Sequence, residues 1–302
     1  MIQVRRSAWC TFTIAALALT VQEARSDNPF ERALKTFGSD AAVKGYVQPL
    51  QDLVGANMSS GWYRSAYVPS SGLNISFNVV GMAALLNDDL KNYDAPTPPG
   101  FTQKTFRTAT VFGKKGALVN DSSRLSYRGT DGAINASFFP LATLQATIGH
   151  IQGTEVIVRG IPLPEVSGFP KVTFWGVGAR HSINQYLWDD DKAPIFIALG
   201  VFYNKISIGD IVEAKSLVLG PQVGTQLSIL ELYGGVAYTN STMKLHFTSS
   251  QAGSPVIDVE LEAKDKVRGT LGAALNLGFL HLNLDANIGS VTNLSAMLGF
   301  GF

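Results

Sequence analysis

Four histidines (His150, His181, His246, His281), the acidic run Asp189-Asp190-Asp191 and a series of alternating charges near the C-terminus are the residues whose types could do chemistry. A metal site needs ligands brought together, at i, i+4 on a helix or i, i+2 on a strand. No two of these histidines stand so, and the spacing specifies no metal. His181-Ser182 pairs a base with a nucleophile, but neighbours in an extended strand point to opposite faces, and no G-x-S-x-G elbow occurs. A hydrolase would need a partner from another strand, and the sequence selects none, so no catalytic residue is assigned. The three aspartates lack the D-x-D-x-D-G spacing and distal Glu of a Ca²⁺ loop and read as a solvated turn. Lys114-Lys115 is too short a basic run to specify a lipopolysaccharide phosphate site. No cofactor is expected.

Glu231, Lys244, His246, Asp258, Glu260, Glu262, Arg268, His281 and Asp285 form the larger constellation. They fall on polar faces of consecutive strand-like segments at 229–239, 242–250, 254–263, 266–277 and 279–289. If those segments wall a barrel, cross-strand neighbours approach within ~5 Å and these residues line its lumen. Such a lining either tunes passage of small polar solutes or forms internal ion pairs that fill a narrow barrel. The acidic ladder Asp258, Glu260, Glu262 would disfavour anions wherever it faces open water.

The elements that must position these residues alternate with period two. Leu73, Ile75, Phe77 and Val79 interleave with Asn74, Ser76 and Asn78; Leu280, Leu282, Leu284 and Ala286 interleave with His281, Asn283 and Asp285. One apolar and one polar face fit a sandwich or a membrane barrel. The C-terminus decides: Leu294, Ala296, Leu298, Phe300 and Phe302 alternate with small or polar residues, and the sequence ends on an aromatic. Leu294, Leu298, Phe300 and Phe302 resemble the terminal signal by which the barrel assembly machinery recognises outer-membrane barrels. The sequence is thus expected to be all-β, a transmembrane antiparallel barrel of about 14 strands, or about 12 if two short segments fail. Residues 61–68 and 105–112 count among these strands, 113–141 form the longest extracellular loop and 182–194 a periplasmic excursion. Trp62, Tyr63, Tyr186 and Trp188 are expected in the aromatic girdles at the membrane interfaces.

Upstream, Arg5 and Arg6, an apolar run over residues 8–21 and Ala24-Arg25-Ser26 read as a signal peptide over residues 1–26, cleaved near Ser26. The apolar run is shorter than the ~20 residues of a spanning helix. Residues 27–59 predict two short helices, one capped at Asn28-Pro29, the other starting at Ser39 or Asp40 with Val43, Tyr46, Val47, Leu50 and Val54 on one stripe. They would form a plug or a periplasmic lid, and residues 60–302 the barrel. Composition agrees: in 302 residues, 24 Lys+Arg balance 23 Asp+Glu, only 16% are charged, and 30 are Gly. No basic excess exists to neutralise nucleic acid, and the single Cys10 excludes a disulfide framework.

The stretches GTEVIVRGIPLPE (153–165), KVTFWGVGARHSINQYL (171–187) and LYGGVAYTNSTMKLHF (232–247) resemble the central region of an uncharacterised family of bacterial outer-membrane barrels. That resemblance implies a location in the outer membrane among its lipids, and a plan broadly similar to the long-chain fatty-acid transport proteins. The expected function is passage of an unknown small solute, hydrophobic by that analogy. The alternatives are a closed structural barrel of the envelope or, third, a barrel lipid hydrolase.

Overall fold

Period-two alternation builds ten antiparallel strands that close on themselves. The computed structural model describes residues 37, 39–122, 124–161, 171–188, 195–247 and 257–301. The signal segment, the first predicted helix up to Thr36, the aspartate run 189–191 and Phe302 lie outside these residues.

In chain order the elements are α1 (Asp40–Ser59), β1 (Asn74–Leu85), β2 (Asn92–Pro96), β3 (Thr105–Ala109), β4 (Leu118–Asn120), β5 (Ser126–Arg128), β6 (Phe138–Ile151), β7 (Thr154–Ile161) and β8 (Val172–Ser182). Then come β9 (Phe196–Ile208), β10 (Val212–Leu227), β11 (Leu230–Phe247), β12 (Ile257–Glu262), β13 (Val267–Leu277), β14 (Leu280–Ile288) and β15 (Asn293–Gly301). The barrel runs β1-β6-β7-β8-β9-β10-β11-β13-β14-β15 and closes by pairing β15 with β1, Phe300 opposite Phe77. β12 stands outside this ring, in line with β13 along the edge of β11. At one end three of the four connections are two-residue turns, and the fourth spans residues 183–195. Gly278, at φ +74, turns β13 into β14, and Gly153, at φ +70, turns β6 into β7. The other end carries the long connections. The longest, residues 86–137, holds the hairpins β2–β3 and β4–β5 and caps that mouth.

The ring is smaller than the expected 14 or 12 strands, for physical reasons. Segments 229–239 and 242–250 are one unbroken strand, β11, because its polar upper half continues the same pleat. Segment 254–263 contains β12, outside the ring, and segment 105–112 contains β3, in the cap. Residues 61–68 form no strand but run through the lumen. Of the expected loop 113–141, residues 113–137 are only part of the cap, which begins at residue 86, and residues 138–141 open strand β6.

Outward side chains form an apolar band. On β10 it runs from Leu217 through Leu219 and Val223 to Leu227, roughly 25 Å at ordinary strand rise and tilt. Leu232, Val236, Leu271, Leu284, Leu294, Leu298 and Phe300 continue it round the barrel. Toward the long-connection end the outward positions turn polar: Glu213 and Lys215 on β10, Lys205 on β9, Asn240, Thr242 and Lys244 on β11. Trp175, Tyr203 and Tyr238 lie at that border, Trp175 and Tyr203 with ring centroids 5.6 Å apart. Among the described residues no helix is long and apolar enough to cross a membrane; the outward band belongs to strands.

Leu284→Arg, in mid-band, should cost about 2–4 kcal/mol when the protein folds into lipid vesicles. Thr242→Arg, on the polar upper face, should stay within about 0.5 kcal/mol of wild type. Urea titrations of vesicle-inserted protein measure both, and equal costs would refute the position of the band.

Candidate functional site

The lumen holds its own chain. α1 starts with the Ser39 side chain accepting from the Ala42 amide at 3.3 Å and Asp40 in its first turn, the arrangement that satisfies free N–H groups. Pro49 lies inside the helix without ending it. Val43, Tyr46, Val47, Leu50, Leu53, Val54 and Met58 pack against the inner wall at Val80, Phe139, Ile206, Met243, Leu245 and Met297. The cap closes over the helix from the long-connection end. There the Val111 amide donates to Tyr46 O (3.0 Å), the Tyr46 hydroxyl to Asp131 O (2.9 Å) and the Tyr93 hydroxyl to Ala42 O (3.1 Å).

Because the wall surrounds α1, its polar face is buried too and must find partners. Asp52 Oδ1 accepts from the Lys264 amide (3.0 Å) and from Gln48 Nε2 (2.9 Å). Asn57 donates to Phe139 O (2.8 Å) and accepts from Asn293 Nδ2 (2.6 Å). A cavity of about 20 Å³ lies between Asp52, Gly55 and Ser59 of the helix and Ser241, Arg268 and Asn293 of the wall, room for a single water.

Below α1 the chain continues through the lumen as an irregular segment to Leu73, after which β1 begins. A helix end and an irregular segment both expose backbone carbonyls, and arginines of the wall meet them. Arg159 donates to Ser60 O (2.9 Å), to Met58 O and to Asn204 Oδ1 (2.7 Å), while Asn204 Nδ2 also donates to Met58 O (2.7 Å). α1 has no basic residue in its last turn, so Arg159 supplies the positive charge that a helix C-terminus favours. Its guanidinium lies 3.8 Å over the ring of Trp62, which stacks on Phe202 with centroids 4.7 Å apart. A Cβ at Gly178 would sit 2.3 Å from the Phe202 ring and one at Gly200 2.7 Å, so these glycines clear the wall for it.

Lower still, Arg180 donates to Ser65 O, Gln222 Oε1 (3.0 Å) and Glu155, and Arg64 of the threaded segment reaches Glu155 Oε1 at 3.1 Å. Glu155 thus sits fully buried between two guanidiniums. Glu231 accepts from the Ser65 hydroxyl (2.6 Å) and the Ala66 amide (2.7 Å), and Asn283 donates to Arg64 O.

The predicted constellation divides between two places. Glu231, Arg268 and Asp285 are buried inside, Arg268 donating to Ser60 Oγ (3.0 Å) and Asp285 accepting from Ser295 and Asn287. His281 is half-buried at the tight-turn end beside Asn276 Oδ1 (3.0 Å). Lys244, His246, Asp258, Glu260 and Glu262 do not line the lumen. They point outward and are exposed, Lys244 within 3.6 Å of Glu260 and His246 within 3.8 Å of Asp258. They share a face with Leu232 and Val236, but above the apolar band that face meets water. Trp62 and Tyr63 are likewise no interface aromatics: both are buried in the lumen. Tyr186 and Trp188 are exposed at the tight-turn end. His181 lies outward beside Tyr186 (Nε2 to OH 3.0 Å) and Ser182 is buried inward, on opposite faces.

Sequence reading missed Arg64, Glu155, Arg159 and Arg180. The signal for three of them was present: Glu155 and Arg159 stand at alternate positions of an apolar run, and Arg180 repeats the pattern in β8. Among the described residues no three His, Cys, Asp or Glu side chains converge as a metal site.

Truncating the arginine that holds both α1 and Ser60 should loosen the lumen. Arg159→Ala is expected to cost about 1–3 kcal/mol, since it leaves the buried Ser60 O and Asn204 Oδ1 without their donor, while Met58 O keeps Asn204 Nδ2. It should also expose the threaded segment to trypsin at the buried Arg64, while the barrel keeps its heat-modifiable gel mobility. Unchanged protease resistance and unfolding midpoint would contradict this role.

A model described as a family of unknown function (DUF6588) matches residues 5–302, and the chain belongs to that family. No curated protein matches it. Among solved structures it is similar to Ail, the attachment invasion locus protein of Yersinia pestis, solved with the heparin analogue sucrose octasulfate (10% identity, TM-score 0.29, 77% of this chain and 99% of that one). It is also similar to OmpF of Salmonella typhi in complex with daunomycin (10%, 0.26, 77% and 98%). A third likeness is to the translocator domain of the autotransporter NalP from Neisseria meningitidis (12%, 0.24, 95% and 99%). Similarity to the long-chain fatty-acid transport proteins is not shown. At such scores the functional reading rests on the strand pairing and outward band of this chain itself.

Proposed function

We propose that this protein is a bacterial outer-membrane barrel that rests closed, stoppered by its own residues 40–73, and that a small solute passes only when the stopper moves. The observation carrying this reading is the set of buried wall side chains, Arg159, Arg180, Glu231 and Asn283, bound to backbone groups of the threaded segment. An open pore has no use for such partners: free carbonyls in a water-filled lumen are satisfied by solvent. The outward apolar band, with polar residues above it, suits a bilayer. Export by the segment 1–26 with cleavage near Ser26, and insertion by the assembly machinery through β15, complete the proposal, as does contact with outer-membrane lipid. No enzymatic role, cofactor or nucleic-acid partner is assigned. The solute is a small molecule of unassigned chemistry.

The purely structural alternative rests on the same filled lumen and is separated by conductance. A Cβ built on Gly55 lies 3.1 Å from Ser241 Cβ, close to disulfide reach, so Gly55→Cys with Ser241→Cys can tie α1 to β11. Wild-type protein in planar bilayers should be almost silent, and Arg159→Ala with Arg180→Ala should raise open time at least tenfold. The oxidised cysteine pair, added to those two substitutions, should close the pore again, and reductant should reopen it. Steady wild-type conductance would overturn the closed state; silence of every variant, with gel mobility intact, would favour a structural barrel. Cell fractionation should recover the protein with the outer membrane, and recovery in the soluble periplasm would overturn the location.

A further inference from the structure

β12 presents one open edge to water, and its chemistry selects an occupant. The Ala263 amide donates to Ser241 O at 2.8 Å, which fixes the ladder's phase. Bonding pairs alternate along an antiparallel ladder, so residues 259, 261 and 263 bond β11, while the N–H and C=O groups of Asp258, Glu260 and Glu262 turn to the opposite edge. One of them is seen there: Glu262 O accepts from Gln48 Nε2 at 2.7 Å. β12 ends the sheet order, and among the described residues no strand pairs along that edge. An open edge of this kind is a template for another strand.

The side chains give that template a sign. Asp258, Glu260 and Glu262 project at every second position, above the apolar band, with side chains more than half exposed. The fold has already matched each of them once: His246 lies opposite Asp258 and Lys244 opposite Glu260 on β11, and Lys266 Nζ lies 3.0 Å from Glu262, so the charge left for a partner is that of carboxylates still more than half exposed. Val259 and Leu261 point the other way and are buried within the core around α1. A strand laid on the open edge therefore meets carboxylates on its outer face and needs Lys or Arg at alternate positions.

We propose that the free edge of β12 is a β-augmentation site for an extended basic segment of a partner protein, carrying Lys or Arg at every second residue. This does not depend on whether the lumen opens. The test uses the full chain in detergent micelles and two synthetic peptides, alternating Lys-Val and alternating Glu-Val. The Lys-Val peptide should protect the amides of Asp258 and Glu260 from hydrogen exchange and bind at least tenfold more tightly than the Glu-Val peptide, by fluorescence anisotropy at low salt. Glu260→Pro should abolish binding while keeping the heat-modifiable mobility, because that amide takes no part in the β11 ladder. Asp258→Lys with Glu260→Lys should reverse the preference. Equal affinity for the two peptides, undiminished binding in Glu260→Pro, or full amide protection before any peptide is added would each overturn the proposal; the last would show that the protein covers its own edge.

Discussion

The structure depends on how a barrel wall satisfies the backbone of a segment it encloses. α1 bonds itself along most of its length, but its last carbonyls and the irregular residues after it do not. Sealed from water, each such group needs a partner or costs a desolvation penalty of about 1–3 kcal/mol. The wall answers with planar, multi-donor side chains: Arg159 spans Met58 O and Ser60 O, and Arg180 spans Ser65 O and Glu155. Lysine, a point charge on a flexible stem, could not bridge two fixed carbonyls in this way. Guanidiniums in turn impose their own requirement, and Glu155, buried between Arg180 and Arg64, meets part of it.

The low charge content and high glycine content follow from the same constraint. A ring of ten strands has a narrow lumen. A helix and an aromatic pair fit within it only where the wall is thin, as at Gly178 and Gly200 around Phe202. Small polar residues, Ser76, Thr143, Thr147, Ser216, Ser241 and Ser295, line much of the rest. Among the described residues most of the charge that remains inside is committed to bonding the threaded segment, and the other charges stand above the band, in the cap or on the first turns of α1.

What the sequence made legible was parity. β1, β14 and β15 alternate cleanly from end to end, and their apolar faces, Leu284, Leu294, Leu298 and Phe300 among them, meet the outside. α1 was legible from its stripe and its Ser39 cap. Parity does not report height, however. Lys244 and His246 share a face with Leu232, so a polar residue on β11 was read as interior when it is exterior above the band. Nor does alternation report enclosure: residues 61–68 carry aromatics as a strand would, yet bond through their backbone to side chains far away in sequence, such as Asn283 to Arg64. Arg159 and Arg180 gain their meaning only from that long-range pairing, which no local spacing encodes.

Topology then orders any opening movement. The threaded segment enters at the long-connection end with Asp40 and leaves at the tight-turn end, where Leu73 leads directly into β1. Its lower end is therefore tied covalently to the wall, and it is held there by the Arg64, Arg180, Glu155 and Glu231 contacts. Its upper end is held by apolar packing, by three hydrogen bonds from the cap through Val111, Tyr46 and Tyr93, and by the bonds of Gln48 to Glu262 O and of the Lys264 amide to Asp52, of which only the last is to a charged group. Neutral hydrogen bonds contribute about 1 kcal/mol each, those to charged groups roughly 1.5–3. The cap end thus releases first, and α1 can tilt within the mouth while the lower arginines still hold the chain. A passage that opens from the cap side down, and that becomes continuous only when the Arg159, Arg180 and Glu231 contacts also release, is the sequence of events that this distribution of bonds favours.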